Sequence, residues 1–500
     1  MQAEELKNLV HDIQSFKAEK QNVELKSASD GFPRRIHDTL SAFSNQDGGG
    51  VMVFGVNDKP SFEVVGVYDA EDVQRKIMEC CQQMEPPVRA IITMCEINGK
   101  YVVGAEIPGV EASKRPVFYG GTGIAKGSFI RVGDGDRQMT QYEIYSYEAF
   151  KRQVRDELRT VESASMKMFD ARRLGRYIEA VKDDRHNLRD NVADEDILEF
   201  MGVTLDGKPT LAGIMTFSLY PQAYFPQLSI TAVSVPGTQM GDTGPYGERF
   251  IDNKRITGSI PEMLDDAVDF VRRNCRTMTI IDENGRRQDR SEYPIAAIRE
   301  AILNALVHRD YSVYTQNTPI SIEMYRDRLE IRSSGELYGH APIEELGKSR
   351  LETRNPILAN MLELLSITEN RYSGVPTMLS EARKAGLPAP EFSQRRGEFK
   401  VVFRNNHYNA AMDAFEVNER SIPYGKEDTE PLHSRRLTLE QQIVEFCRTP
   451  RTRQELVDFT GMSRYHIMSK YIQPMMESGA IKCTMPEKPK SKNQRFIATR

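Results

Sequence analysis

The stretch PIAAIREAILNALVHRDYS, residues 294–312, constrains the fold of this 500-residue chain more than any other. At about 100° per residue, Ile295, Ile298, Ile302 and Leu306 cluster on one side of a helix, and Glu300, Asn304 and His308 stack at i, i+4 and i+8 roughly opposite. A helix so apolar elsewhere belongs inside a body with a sizeable core, which a chain of this length supplies. Its polar stripe carries a carboxylate, an amide and an imidazole. Oxygen donors of this kind suit Mg²⁺ held beside phosphates, and a carboxylate there can orient a water. An ordinary solvated helix face has the same spacing.

Charged residues make up 28% and hydrophobic residues 39%, which fits a folded chain rather than a disordered one. The net charge is −5, so any nucleic-acid contact has to come from a local patch. Six cysteines without a CxxC pair or zinc spacing read as reduced thiols of a cytoplasmic protein. The amphipathic start MQAEELKNLVHDIQ lacks a signal-peptide core, and no apolar run of about 18 residues implies a membrane span.

The pattern predicts an α/β (α+β) multidomain chain. Residues 1–155 alternate helices and strands, with RRIHDTLSAFSN as a helix expected to leave through Gly48–Gly50 into the strand Val51–Val56, and FEVVGV as a further strand. Residues 156–255 hold connecting helices and then a strand-rich segment, KPTLAGIMTFSLYPQAYFPQLSITAVSVPG. Residues 256–405 form a second α/β unit, 406–436 lose apolar periodicity and read as a linker, and 437–500 resume a helical pattern.

In that last segment a helix, a break at Gly461 and a second helix capped by Ser463 give a helix-turn-helix, with PEKPKSKN as the tip of a wing. Residues 437–500 contain eleven Lys and Arg against six Asp and Glu, roughly +5 on an acidic chain. Arg464, Tyr465, His466, Ser469 and Lys470 are expected in a DNA major groove. Arg451, Arg453, Lys488, Lys490 and Lys492 are expected at phosphates. Pro474 should kink or restart the second helix.

Glu19 and Glu24, with Lys26 behind them, converge only if a helix ends at the first and a strand starts at the second. Three carboxylates, Glu19, Glu24 and Asp58, would then hold a divalent ion that activates water. Alternatively Lys26, Arg34, Arg35, Lys114, Arg115 and Arg131 supply phosphate contacts from the same region.

Several of these motifs resemble known families. Glu300-x-x-x-Asn304 resembles the N-box of the GHKL (Bergerat-fold) ATPases. The resemblance implies ATP and Mg²⁺ as cofactors, Glu300 as base or water polariser, Asn304 as the magnesium ligand, and His308, Gly335 and Gly374 as neighbouring nucleotide contacts. Where that family carries its adenine-binding Asp, this chain has Ser333 or Ser334 in RSSGELYG, and its second glycine box is RYSGVP. Glu19, VELK, SAFSNQDGGG, FGVND, KRPVFY and FIRVGDGDRQMT resemble the Schlafen-type AlbA-like domain. With PTLAGIMTFSLYPQAYFP, TRNPILANML and GVPTMLSEARKAGLPAPEF, the whole resembles bacterial predicted transcriptional regulators that join an AlbA-like domain, a Bergerat-like domain and a winged helix. That implies a DNA-binding, ATP-responsive transcriptional regulator. Animal Schlafens cut tRNA and rRNA with two glutamates and an aspartate, which implies the alternative of a metal-dependent endoribonuclease using Glu19, Glu24 and Asp58, or Asn57 in its place. Those enzymes build their RNA groove from two lobes, so a homo-oligomer would be needed here.

Overall fold

The computed structural model describes residues 1–405 except 18–19, 59–61, 282–286, 350 and 369–372, and residues 443–499 except 445, 449, 461–466 and 486–494. The side chains of 278–290, 458, 460, 469, 470 and 477 also lie outside the description. The expected linker at 406–436 falls outside it too. Two compact units, Met1–Val417 and Asn418–Arg500, each mix helices with sheet in a multidomain α/β architecture. Among the described residues no helix is long and apolar enough to cross a membrane. All six cysteines are free.

The first unit begins with α1 (Ala3–Phe16), β1 (Val23–Lys26), α2 (Ile36–Ser44), β2 (Gly50–Phe54), α3 (Ala70–Gln82), β3 (Ile91–Ile97) and β4 (Lys100–Ile107), with sheet order β1–β2–β4–β3. Only β1 and β2 are parallel. Val23 and Leu25 join Leu6, Val10 and Ile13 of α1 in one core, so the strand's alternation sends Glu24 and Lys26 to the opposite face. On that face Ile36, Leu40 and Phe43 of α2 pack with Val73, Ile77 and Cys81 of α3 against Met52, Phe54 and Val103.

Helix α2 ends earlier than the glycine run suggests. Its cap is Asn45, buried, whose amide donates to Val117 O at 2.9 Å and accepts from Val117 N at 2.7 Å. The glycines serve the approach to the sheet instead: Gly49 has φ +60°, and a Cβ on it would lie 2.1 Å from Ile107 O. FEVVGV is not a strand. Phe62 at φ 51° and Gly66 at φ 80° break its extension, and only Val64 bridges, to Val56.

A hairpin follows, β5 (Phe129–Val132) and β6 (Gly135–Gln138), and then α4 (Gln141–Lys151), opened by a Thr140–Glu143 capping box. This helix ties the N-terminal module to the second sheet of the unit. Tyr142 OH donates to Asp310 Oδ2 at 2.9 Å, Tyr147 stacks on His340 with centroids 3.8 Å apart, and Phe150 meets Tyr338 edge-on at 5.0 Å.

Beyond it come α5 (Ala171–Asp184), α6 (Leu211–Phe217), β7 (Ile230–Ser234), β8 (Asp252–Ile256), α7 (Ile260–Asn274), α8 (Ile295–His308), β9 (Ile320–Met324), β10 (Arg328–Ser334), α9 (Pro356–Leu364), α10 (Gly374–Lys384), β11 (Glu391–Arg395) and β12 (Glu398–Arg404). The sheet runs β8–β7–β9–β10–β12–β11, with only β7 and β9 parallel. The helix α6 corrects the strand-rich expectation for its segment. All seven of its residues are buried, and for a short run apolar on every side periodicity cannot separate helix from strand. The readable signal was Thr210, whose hydroxyl accepts from Gly213 N at 3.0 Å as an N-cap.

Ile298, Ile302 and Leu306 of α8 sit in the large core with Ile230, Ile320, Ile322, Leu329, Ile331 and Phe403 of the sheet. The other sheet face carries charge: Glu330 Oε1 accepts from Arg328 at 2.5 Å and its Oε2 from Arg332 at 2.6 Å along the same strand, and Oε2 faces Lys400 of the neighbouring strand at 3.7 Å. One face apolar and one charged is the pattern of a sheet covered by helices on a single side.

The second unit places β13 (Arg451–Thr452), α11 (Arg453–Thr460), a π-helical stretch Met468–Ile472, α12 (Gln473–Glu477), β14 (Ile481–Cys483) and β15 (Arg495–Ala498), with sheet order β13–β15–β14. Pro474 was expected to kink or restart the helix, but Met468–Ile472 run on into α12 with helical φ/ψ at Ile472 and Gln473, and the wider π-helical turn lies directly before the proline. Ile443, Cys447, Leu456, Ile467, Ile472, Ile481 and Phe496 form this unit's own core.

Candidate functional site

A cavity of about 1140 Å³ opens between α8, the end of β10, the segment before α9 and the start of α10. The helical spacing delivers Glu300, Asn304 and His308 to its wall together, and Gly335, Ser333 and Gly374 line it as well. Five positions proposed from sequence as nucleotide contacts thus meet in one pocket: Glu300, Asn304, His308, Gly335 and Gly374. Of Ser333 and Ser334, expected from the sequence where the GHKL ATPases carry their adenine-binding Asp, Ser333 lines it.

Gly374 begins α10 directly over the polar stripe. A Cβ on it would lie 2.4 Å from Glu300 Oε1 and 2.8 Å from Asn304 Nδ2, so the backbone can approach only because no side chain is there. Gly374→Ala is therefore expected to push the Glu300 carboxylate aside and to lower ATP affinity at least about 10-fold, a loss of roughly 1.4 kcal/mol. The thermal midpoint should stay within a few degrees. Calorimetric titration beside a thermal melt checks both.

His308 Nδ1 lies 3.0 Å from Thr353 Oγ1. Its side chain is exposed and lines the cavity. Burial pushes the imidazole of His340 down to about 4. Glu157 moves the other way. Burial pushes its carboxyl up to about 7, against the N–H groups of Ile357 and Leu358 that donate to it at 3.0 and 2.7 Å at the start of α9.

Between roughly pH 4.5 and 6.5 the unfolded chain holds the His340 imidazole proton that the native chain lacks, and the native chain holds the Glu157 carboxyl proton that the unfolded chain lacks. The two offset each other, so this pair leaves stability nearly flat with pH across that window. In Glu157→Gln the opposing carboxyl is gone and the unfolded state binds about one proton more, so acidification should destabilise the variant more steeply. Urea midpoints near pH 5 and pH 6.5 measure the difference; an equal drop in both proteins would show Glu157 ionised in the native state.

The N-terminal candidates are arranged differently. Arg131, on β5, has a side chain only 1% exposed and reaches across to β1. Its Nη1 pairs with Glu24 Oε2 at 2.9 Å and Asp136 Oδ1 at 2.8 Å, its Nη2 donates to Val23 O at 3.0 Å and its Nε to Gln21 O at 3.1 Å. Glu24 Oε1 holds Lys26 at 2.6 Å. Each oxygen of Glu24 therefore already faces a cation. Arg115 is buried too, pairing with Asp47 at 2.7 Å and donating to Val110 O at 2.6 Å. The expectation that Arg131 and Arg115 meet phosphate is corrected by this burial: both are internal braces.

Lys114 is exposed and lies 3.3 Å from Glu111, while Arg34 and Arg35 sit exposed ahead of α2. Asp58 follows the isolated Val56 bridge, and its carbonyl accepts from Phe62 N. Glu19 lies outside the described residues, and among those described no group of three or more His, Cys, Asp or Glu side chains is placed to hold a metal.

In the second unit Arg451 packs over the Phe446 ring at 4.4 Å and pairs with Glu455 at 3.6 Å, and Arg453 lies 5.8 Å from the Phe496 ring. Arg464, Tyr465, His466, Lys488, Lys490 and Lys492, and the side chains of Ser469 and Lys470, lie outside the described residues.

Three family models match parts of the chain. Residues 19–140 match "Schlafen, AlbA_2", residues 317–403 match "Putative ATP-dependent DNA helicase recG C-terminal", an HATPase-type model, and residues 441–499 match "Filamentation induced by cAMP protein Fic-like, C-terminal domain". The chain carries a Schlafen AlbA_2 domain and a RecG-like HATPase-type domain. That pairing indicates nucleic-acid binding and ATP binding. The HATPase-type match takes in Gly335 and Gly374 but begins after α8, so Glu300, Asn304 and His308 join the pocket from outside it.

Among solved structures, the DIP2311 protein from Corynebacterium diphtheriae is 16% identical over 99% of this chain and 97% of its own, with a TM-score of 0.39. The N-terminal domain of a RecG-related "Putative ATP-dependent DNA Helicase" from Nitrosomonas europaea is 25% identical over 27% of this chain and 93% of its own, with a TM-score of 0.22. No curated protein matches.

Arg354 is among the pocket residues that escaped the sequence reading. Its partners Asp310 and Glu336 are 44 and 18 residues away, so no local pattern marks it.

Proposed function

We propose that this protein is an ATP-responsive regulator of transcription that binds DNA through a winged helix in its C-terminal unit and nucleic acid through its Schlafen AlbA_2 domain. The observation that carries the reading is the meeting of Glu300, Asn304, His308, Gly335 and Gly374 in one cavity of about 1140 Å³. The excess of Lys and Arg in residues 437–500 of an otherwise acidic chain supports the DNA assignment.

The donor set suits magnesium. The Glu300 carboxylate and the Asn304 amide are hard oxygen donors side by side on α8, and a ligand's phosphates would complete the shell. Bound there, Mg²⁺ would neutralise phosphate charge. Glu300 and Asn304 would hold it, Gly374 would let the start of α10 close over them, and the carboxylate of Glu300 is the group able to orient a water. A ligand that binds two arrangements of the chain unequally shifts DNA affinity by that difference alone.

Fluorescence anisotropy with duplex DNA at about 50 and 200 mM salt, with and without ATP and Mg²⁺, tests the proposal. The expected result is salt-dependent binding that ATP changes and that loses its ATP response in Asn304→Ala. DNA binding indifferent to ATP and to Asn304→Ala would sink the regulatory part. Cleavage of tRNA in Mg²⁺ or Mn²⁺ that disappears in Glu24→Gln would replace the proposal with the endoribonuclease reading.

A further inference from the structure

We propose that Arg354 is the residue with which the cavity reads the negative charge of its ligand, making the site selective for phosphorylated over unphosphorylated nucleosides. The inference rests on the nucleotide reading of the cavity and names the determinant of its ligand class.

Arg354 lies two residues before α9, with a side chain 8% exposed, in the cavity wall beside Gly335, Glu336 and Tyr338. A guanidinium so enclosed needs a full set of acceptors, because an undercompensated buried cation is costly. This one lacks them. Its carboxylate contact, Nη1 to Asp310 Oδ2, is 3.3 Å, long for a charge-assisted bond. That same oxygen also accepts from Tyr142 OH at 2.9 Å, and Asp310 Oδ1 accepts from Ser312 N at 2.8 Å. Nη2 reaches the carbonyl of Glu336 at 3.2 Å, and Nε, itself sealed from the cavity, has no hydrogen-bond partner, so the charge is undercompensated and the partly exposed Nη2 is the donor a ligand can meet.

The guanidinium is nevertheless fixed in place, 5.3 Å from the centroid of the Tyr338 ring. A planar guanidinium, held by a ring and short of acceptors, suits the oxygens of a phosphate. Glu300 lines the same cavity and would repel phosphate unless a cation intervened.

The test uses the full chain and two variants, R354Q and R354K, titrated by calorimetry with ATP, adenosine and inorganic tripolyphosphate. In R354Q, ATP and tripolyphosphate should each bind about 10- to 100-fold more weakly, the range of a lost charge-assisted pair, with adenosine changed less than about 3-fold. R354K keeps a charge and loses the fork, so it should fall between the two; it carries the test alone should R354Q not fold. Equal loss of ATP and adenosine would show a role in shaping the cavity only and overturn the proposal. So would unchanged tripolyphosphate binding. If the native chain binds tripolyphosphate but not ATP, and R354Q loses it, the nucleotide reading fails while the anion-reading role of Arg354 stands.

Discussion

Arg131→Gln unfolds the N-terminal module well before the rest of its unit, at a cost of roughly 3–5 kcal/mol, the range for removing one partner of a buried ion pair. The residue is a central brace. It joins β5 to β1 by pairing with Glu24 and Asp136, donates to two backbone carbonyls of the segment entering β1, and lies 5.2 Å from the Phe43 ring at the core of α2. Without the guanidinium, the Glu24 and Asp136 carboxylates lose the cation they share, and Lys26 on Glu24 at 2.6 Å and Thr39 donating to Asp136 at 2.6 Å do not replace it. Hydrogen exchange should show lost protection in β1, β5 and β6, with urea melts giving the magnitude. A variant of unchanged stability but weakened nucleic-acid binding would return Arg131 to the phosphate contacts.

Asn304→Ala should lower ATP affinity in Mg²⁺ by about 100-fold, close to 2.7 kcal/mol, and chelating magnesium from the native protein should reproduce most of that loss. The amide and the Glu300 carboxylate share one helix face, and the start of α10 closes on both. If they act through one ion, the two losses are not additive: adding EDTA to Asn304→Ala should change its affinity little. Titrations of both proteins with and without EDTA decide the matter. Full additivity would mean that Asn304 touches the nucleotide independently of the metal.

How much of this was legible depended on distance along the chain. The stripe of α8 was readable because 3.6 residues per turn stacks i, i+4 and i+8 whatever surrounds the helix, and the structure turns that face to the cavity. VELK was readable because a period of two needs only four residues. The charge of Arg131 was plain, but its fate lay in Glu24, 107 residues back, and nothing in KGSFIRVGDG distinguishes a brace from a phosphate contact. Arg115 misled for the same reason, with Asp47 lying 68 residues away. The helix α6 was hidden by being apolar on every side, and Arg354 by having partners that only the fold assembles.

The short helix α4 has a consequence for anyone dissecting the chain. Tyr142 and Asp310 are separated by 168 residues, and Tyr147 and Phe150 find their ring partners only at His340 and Tyr338. A fragment cut near residue 155 would carry four bare aromatic rings into solvent, those of Tyr142, Tyr145, Tyr147 and Phe150, and expressed alone it would be prone to self-association. Leaving out α4 trims those rings away, whereas retaining everything through β12 keeps them covered.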